Sequence, residues 1–213
     1  MIFVSMFAFS QTQFIDGTEW RTQQTNTADP VTKSHIKISK LDGIINIGNY
    51  EALKMYCKYE GEFTWTMDYY IRTENDKIFF MPVDADEWFL MYDFGLKPGQ
   101  GCYVYSPAIK DNSNKPLKSY VKCVNIEDEN ATDFPVMTIE EYKDETCIGK
   151  GIWLKGLSSK CGVDYNIGFD MDGIGTSLLE VKRGTNIIYS QKTSSISQIS
   201  GNSIKYSING HNL

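Results

Sequence analysis

The feature that most constrains this chain is a two-residue repeat. In Phe63-Thr-Trp-Thr-Met-Asp-Tyr-Tyr-Ile71, apolar side chains fall at 63, 65, 67, 69 and 71, with Thr64, Thr66 and Asp68 between them. Alternation of this kind gives a strand one apolar face. Leu53, Met55, Cys57 and Tyr59 repeat it, with Lys54 and Lys58 opposite. Ile36 and Ile38 alternate with His35, Lys37 and Ser39, which puts the isoleucines in the core and His35 and Lys37 on the surface. Shorter apolar runs follow at 78–81, 88–92, 103–105, 120–124, 152–154, 178–181 and 187–189.

Turn chemistry separates these runs. Asp42-Gly43 between Ile38 and Ile44 reads as a two-residue hairpin. Glu74-Asn-Asp-Lys77, Pro98–Gly101, Asp111–Pro116, Asp128–Asp133 and Asp172-Gly173 read as further loops. Thr138–Asp144 is the one helix candidate, and it serves equally well as a strand. Composition agrees with strands: 13 Tyr, 11 Phe and 4 Trp suit a pleated, half-buried surface. The expected fold is all-β, an antiparallel barrel or sandwich of about ten strands. A short extension closes the chain.

The amino terminus reads as something else. Met1–Ser10 is an apolar run of signal-peptide core length, with Ala8 and Ser10 at the small-residue positions before Gln11. No positive segment precedes it, which implies an export signal whose start codon lies further upstream. The expected division is therefore a signal remnant at 1–10, a main β-domain at 11–190 and a Ser/Asn-rich extension at 191–213. In that extension Ile204, Tyr206 and Ile208 alternate with polar residues before Asn209-Gly210, as at the start of a truncated module. Export makes disulfides possible. Of the five cysteines, Cys147 and Cys161 flank a short segment and form the best candidate pair. Closing a loop of that size would stabilise by roughly 3 kcal/mol in the chain-entropy view.

The residues exclude more chemistry than they suggest. Histidine is limited to His35 and His211, which removes the commonest general-base and zinc arrangements. A net charge of −6 argues against a phosphate-binding surface, so no nucleic acid is expected. No apolar run reaches the length of a membrane-spanning helix. Asp170-Met-Asp172-Gly173 has two alternating carboxylates of calcium-loop type but lacks the remaining ligands, so Asp170 and Asp172 are weak metal candidates. No catalytic residue and no cofactor is expected. Exposed aromatics offer a binding route, with Tyr70, Tyr103 and Tyr105 the first places to look for a stacked ligand.

Four segments carry a family likeness: Asp16–Arg21, Tyr69–Phe79, Trp88–Gly99 with its Tyr92-Asp93-Phe94, and Gly151–Ser159 with Trp153-Leu-Lys-Gly156. Over roughly residues 16–190 the chain resembles exported all-β bacterial proteins of the type IX secretion route, which often end in a sorting domain of short strands. It departs from their pattern at Leu157-Ser158 and at Pro98–Gln100. The resemblance implies location and architecture, and no activity. The expectation is an exported, non-catalytic module at the cell surface or outside it. Its partner would be a glycan, a protein or a small apolar ligand. The alternative is an extracellular carboxylate-dependent hydrolase such as a glycosidase, whose two acids would face each other across a cleft.

Overall fold

The computed structural model describes residues 14–26, 34–127, 134–167 and 174–191. None of the described residues is helical. Among the described residues thirteen strands succeed one another: β1 (Thr18–Asn26), β2 (His35–Ile47), β3 (Tyr50–Tyr59), β4 (Thr66–Glu74), β5 (Lys77–Pro82), β6 (Phe89–Asp93), β7 (Gly101–Lys110), β8 (Pro116–Glu127), β9 (Val136–Lys143), β10 (Thr146–Leu154), β11 (Ser158–Ser159), β12 (Ile174–Arg183) and β13 (Asn186–Ser190). The all-β expectation is met, with three more strands than the ten read from the sequence. In the segment 138–144, the residues up to Lys143 are strand and Asp144 opens the turn that follows.

The strands form two curled antiparallel sheets. The first runs β13-β12-β1-β2-β3-β4-β5-β6 and the second β11-β10-β9-β8-β7. One core lies between them. The first sheet supplies Trp20, Leu41, Met55, Ile71, Phe80 and Tyr92; the second supplies Val104, Val121, Met137, Ile139 and Trp153. The chain crosses between the sheets from β6 to β7 and returns from β11 to β12, which then pairs with β1.

Local chemistry explains where strands turn. Asn75 at φ 53° lets β4 fold directly onto β5, with Glu74 opposite Lys77. Between β9 and β10, Asp144 and Glu145 both take positive φ (47° and 66°), the backbone of a tight hairpin whose twist matches its strands. Asp42-Gly43 does not make the expected hairpin. It is a bulge inside β2, between Leu41 and Ile44, and the turn comes later, between Ile47 and Tyr50. Gly43 at φ 88° gives its N–H to Asp16 Oδ1 (2.8 Å), so the extra residue is anchored to the segment before β1.

Two further expectations are corrected. The strand predicted from Phe63 begins at Thr66, and Phe63 is 98 % exposed. A register shift opposite Met55/Tyr56 breaks the repeat, so Tyr69 and Ile71 enter the core while Met67 pairs with Tyr56 outside that phase. In β2 the alternation is real but its direction is opposite to the reading. Leu41 is in the core, and Ser39 and Lys37 point the same way; Ile38 is buried but outside the core cluster. His35 is exposed, edge-on to Tyr59 at 6.2 Å.

The segment after β11 plugs one region of the core, and the two sequence motifs hold it there. Tyr92 donates its hydroxyl to Val163 O (2.8 Å) and accepts from Ser159 N (3.1 Å). Trp153 Nε1 donates to Asn166 O (2.9 Å), and Trp20 Nε1 to Leu157 O (3.2 Å). Tyr92 stacks on Phe94 at 5.0 Å and meets Trp153 edge-on at 5.1 Å. Asp93 Oδ1 accepts the Gly95 N–H (3.0 Å), which fixes the turn after β6. These motifs are therefore structural: aromatic bodies fill the core, and their polar atoms satisfy a non-repetitive backbone that water does not reach.

Candidate functional site

Alternation along β7, β8 and β9 decides which side chains leave the second sheet outward. Val104 and Ser106 face in, so Tyr103 and Tyr105 face out. Ser119, Val121 and Cys123 face in, so Lys118, Tyr120 and Lys122 face out. Ile139 and Glu141 face in, so Glu140 and Tyr142 face out. Register then sets Tyr103 opposite Tyr120, and Tyr120 opposite Tyr142. Three tyrosines thus form one row across three strands.

The rings are 5.3 Å apart (Tyr103–Tyr120) and 6.3 Å apart (Tyr120–Tyr142), each pair edge-to-face. Tyr103 is 56 % exposed and Tyr120 36 %. Lys118 Nζ sits over the Tyr103 ring at 4.4 Å and near Tyr105 at 5.8 Å. Gly101 leaves the room for Tyr120: a Cβ at 101 would stand 2.5 Å from its hydroxyl. An open groove of about 700 Å³ runs along this row, with Lys122 and the turn Lys143-Asp144-Glu145 on its walls.

One margin of the row is fixed by charge. Glu140 accepts from Lys150 Nζ (2.7 Å) and from the Tyr142 hydroxyl (2.6 Å). The Lys150 contact first, then the Tyr142 contact, holds Glu140 below the usual carboxylate range. The same hydrogen bond to Glu140 is the main reason the Tyr142 phenol is pushed up to about 12. Tyr142 therefore stays a neutral donor in the physiological range, with its ring orientation set.

The sequence candidates are dispersed. Tyr103 and Tyr105 share the groove face, though Tyr105 is half-buried and packs against Phe89 at 5.0 Å. Tyr70 is on β4 of the other sheet, opposite Lys54 and Met81, and takes no part in the row. Tyr120 and Tyr142 were not singled out from sequence. Tyr120 stood in what reads as an apolar run, and Tyr142 in the segment of ambiguous periodicity. Asp170 and Asp172 lie outside the described residues. Among the described residues no group of three or more His, Cys, Asp or Glu side chains could hold a metal ion. Cys147 and Cys161 are separate thiols: Cys147 is exposed on β10 opposite Tyr142, and Cys161 is half-buried in the segment after β11.

A second concentration of polar chemistry is internal. Asp164 of the core plug receives Lys37 Nζ (2.8 Å), Ser39 Oγ (3.3 Å) and the Tyr69 hydroxyl. Lys37 also reaches Asp68 (3.3 Å). The side chains of Asp164 and Lys37 are 4 % and 13 % exposed. Burial pulls Lys37 toward its neutral form, but Asp164 and then Asp68 outweigh it, leaving the ammonium above its ordinary range. Burial, then the Asp164 charge, pushes the Tyr69 phenol well above its usual value, so it remains a donor. Burial likewise raises the neighbouring Cys57 thiol to about 11.

These features define an all-β protein with a charged clamp inside and an aromatic, lysine-flanked groove outside. Compared with known protein families, curated proteins and solved structures, the chain finds no match.

Proposed function

We propose that this chain is an exported, non-catalytic binding module, and that it takes an acidic carbohydrate chain along the Tyr103–Tyr120–Tyr142 row. The observation that carries this reading is three phenol rings in one cross-strand row on a solvated face, flanked by Lys118, Lys122 and Lys143. Tyr103 and Tyr120 keep ring surface open to solvent, and an open aromatic face suits the C–H face of a sugar ring. Adjacent strands are spaced by about 4.8 Å, so successive rings meet successive units of an extended polymer laid across the sheet. The lysines suit a carboxylated or sulfated polymer, and Lys118, Lys122 and Lys143 outnumber Asp144 and Glu145 on the same walls. The export component rests on the apolar segment before Gln11.

The test is titration calorimetry with a uronic-acid polymer and a neutral glucan. The acidic polymer binds and weakens as salt rises; the neutral one binds far less. Replacing Tyr103 and Tyr120 together by Ala weakens binding by at least tenfold, as expected when ring contacts worth above about 1 kcal/mol each are removed. Equal binding of the neutral glucan, or an unaffected double variant, overturns the assignment.

A further inference from the structure

We propose that Lys37 and Asp164 are the two ends of an intramolecular amide cross-link that ties β2 to the core plug. The reacting groups are already together: Lys37 Nζ is 2.8 Å from Asp164 Oδ2, in a site where both side chains are largely closed to water. Fixed proximity of this kind replaces the entropy cost of bringing two reactants together. Exclusion of water removes the competing hydrolysis of the product. A second carboxylate, Asp68, stands 3.3 Å from the same nitrogen, with its side chain 40 % exposed. Two hydroxyls address the electrophile. The Tyr69 hydroxyl donates to Asp164 Oδ1 and Ser39 Oγ donates to Oδ2. The remaining titratable neighbours of Lys37, Asp164 and Tyr69 are Cys57, Tyr92 and Tyr165, none of which competes as a base while protonated.

The resting state is the ion pair. Reaction runs through the minor neutral pair, in which the proton has passed from Nζ to Asp164 Oδ2; because Asp164 and Asp68 hold the ammonium charged, that pair is rare and the cross-link forms slowly. The Nζ lone pair attacks Cγ and forms the C–N bond. Negative charge develops on Oδ1, where the Tyr69 hydroxyl meets it. Asp68 takes the proton that the nitrogen sheds and returns it to the departing Oδ2, whose bond to Cγ breaks. One secondary amide and one water result, with no change in oxidation state and no added reagent. The product exchanges two buried charges for a neutral amide, which removes the desolvation that opposes a buried pair.

The experiment is intact-mass measurement of the full chain, unfolded in acid after prolonged incubation in the folded state. Wild type is expected one water lighter than its sequence requires. Protease digestion should then give a branched peptide joining the Lys37 and Asp164 segments. K37R keeps the positive charge but should show no mass loss, and D68N should slow or abolish it. Near-UV circular dichroism checks that both variants are folded. Wild type at full sequence mass overturns the proposal. So does a water loss that persists in K37R, which would belong to succinimide at Asp16-Gly17, Asp42-Gly43 or Asp172-Gly173.

Discussion

At the scale of single residues, Gly162 shows how tightly the plug is fitted. Its φ is 111°, and a Cβ there would stand 2.5 Å from Thr22 Oγ1 and 2.6 Å from its Cγ2. Gly162→Ala therefore combines backbone strain with overpacking against a buried strand of the other sheet. We expect a loss of about 2–4 kcal/mol in urea unfolding, the sum of a strained left-handed residue and a core clash. Tyr92 makes a different prediction at the same scale. Burial is the main reason its phenol is raised well above 10 in the fold. The unfolded chain gives up that proton near pH 10. Above that pH the unfolded state binds fewer protons than the native state, so stability falls as pH rises. The contribution is complete below about pH 9 and is lost upward through the folded value, by up to about 1.4 kcal/mol per pH unit. Urea midpoints from pH 8 to 11 check this. Tyr92→Phe should flatten the alkaline decline while lowering stability at pH 8, since Val163 O and Ser159 N lose their partner. An unchanged slope in the variant would assign the decline to other groups.

At the scale of elements, the β9–β10 hairpin carries a cost that can be relieved. Asp144 and Glu145 are both left-handed, and neither is glycine. Replacing them by Asn-Gly keeps the turn type and removes part of that strain. We expect a gain of about 0.5–1 kcal/mol, read from the thermal midpoint. The same turn forms one wall of the groove, so the substitution also asks whether Asp144 and Glu145 repel an acidic polymer. If they do, binding tightens with stability. The elements also show what sequence can and cannot reveal. Period two is a local property, so Met55 in β3 and Tyr69 and Ile71 in β4 were legible from their own residues, and β5 only as a short apolar run, whereas Tyr59 and Phe63, read on the same apolar faces, are exposed. The direction of β2 was not. Its inward Lys37 is acceptable only because Asp164, from a distant segment, meets it, and no local pattern announces that partner. Asp42-Gly43 has the composition of a hairpin, but its N–H is taken by Asp16 and the strand continues as a bulge. The tyrosine row was half legible. Tyr103 and Tyr105 could be placed off the core by alternation, whereas joining Tyr103 to Tyr120 and Tyr142 required the register of three strands.

At the scale of the molecule, closure depends on the longest-range pairing. β1 has its partners in β2 and in β12, with Thr18 opposite Arg183. The first sheet is therefore incomplete until the chain has built the second and returned. The core is shared in the same way, since Trp20, Tyr92 and Trp153 all hold the segment that precedes β12. Neither sheet can bury its apolar face alone, so the two should unfold as one unit. Loop closure over most of the chain must precede much of the native burial, and this slows folding. We expect refolding in milliseconds to seconds, and a single equilibrium transition in which strand content and tryptophan emission change together. Trp20 and Trp153 lie in different sheets and report on both. Far-UV circular dichroism and tryptophan fluorescence across a urea titration provide the check. Two separated transitions would show that the eight-stranded sheet holds its fold without the five-stranded one, and that the plug links two units instead of completing a single core.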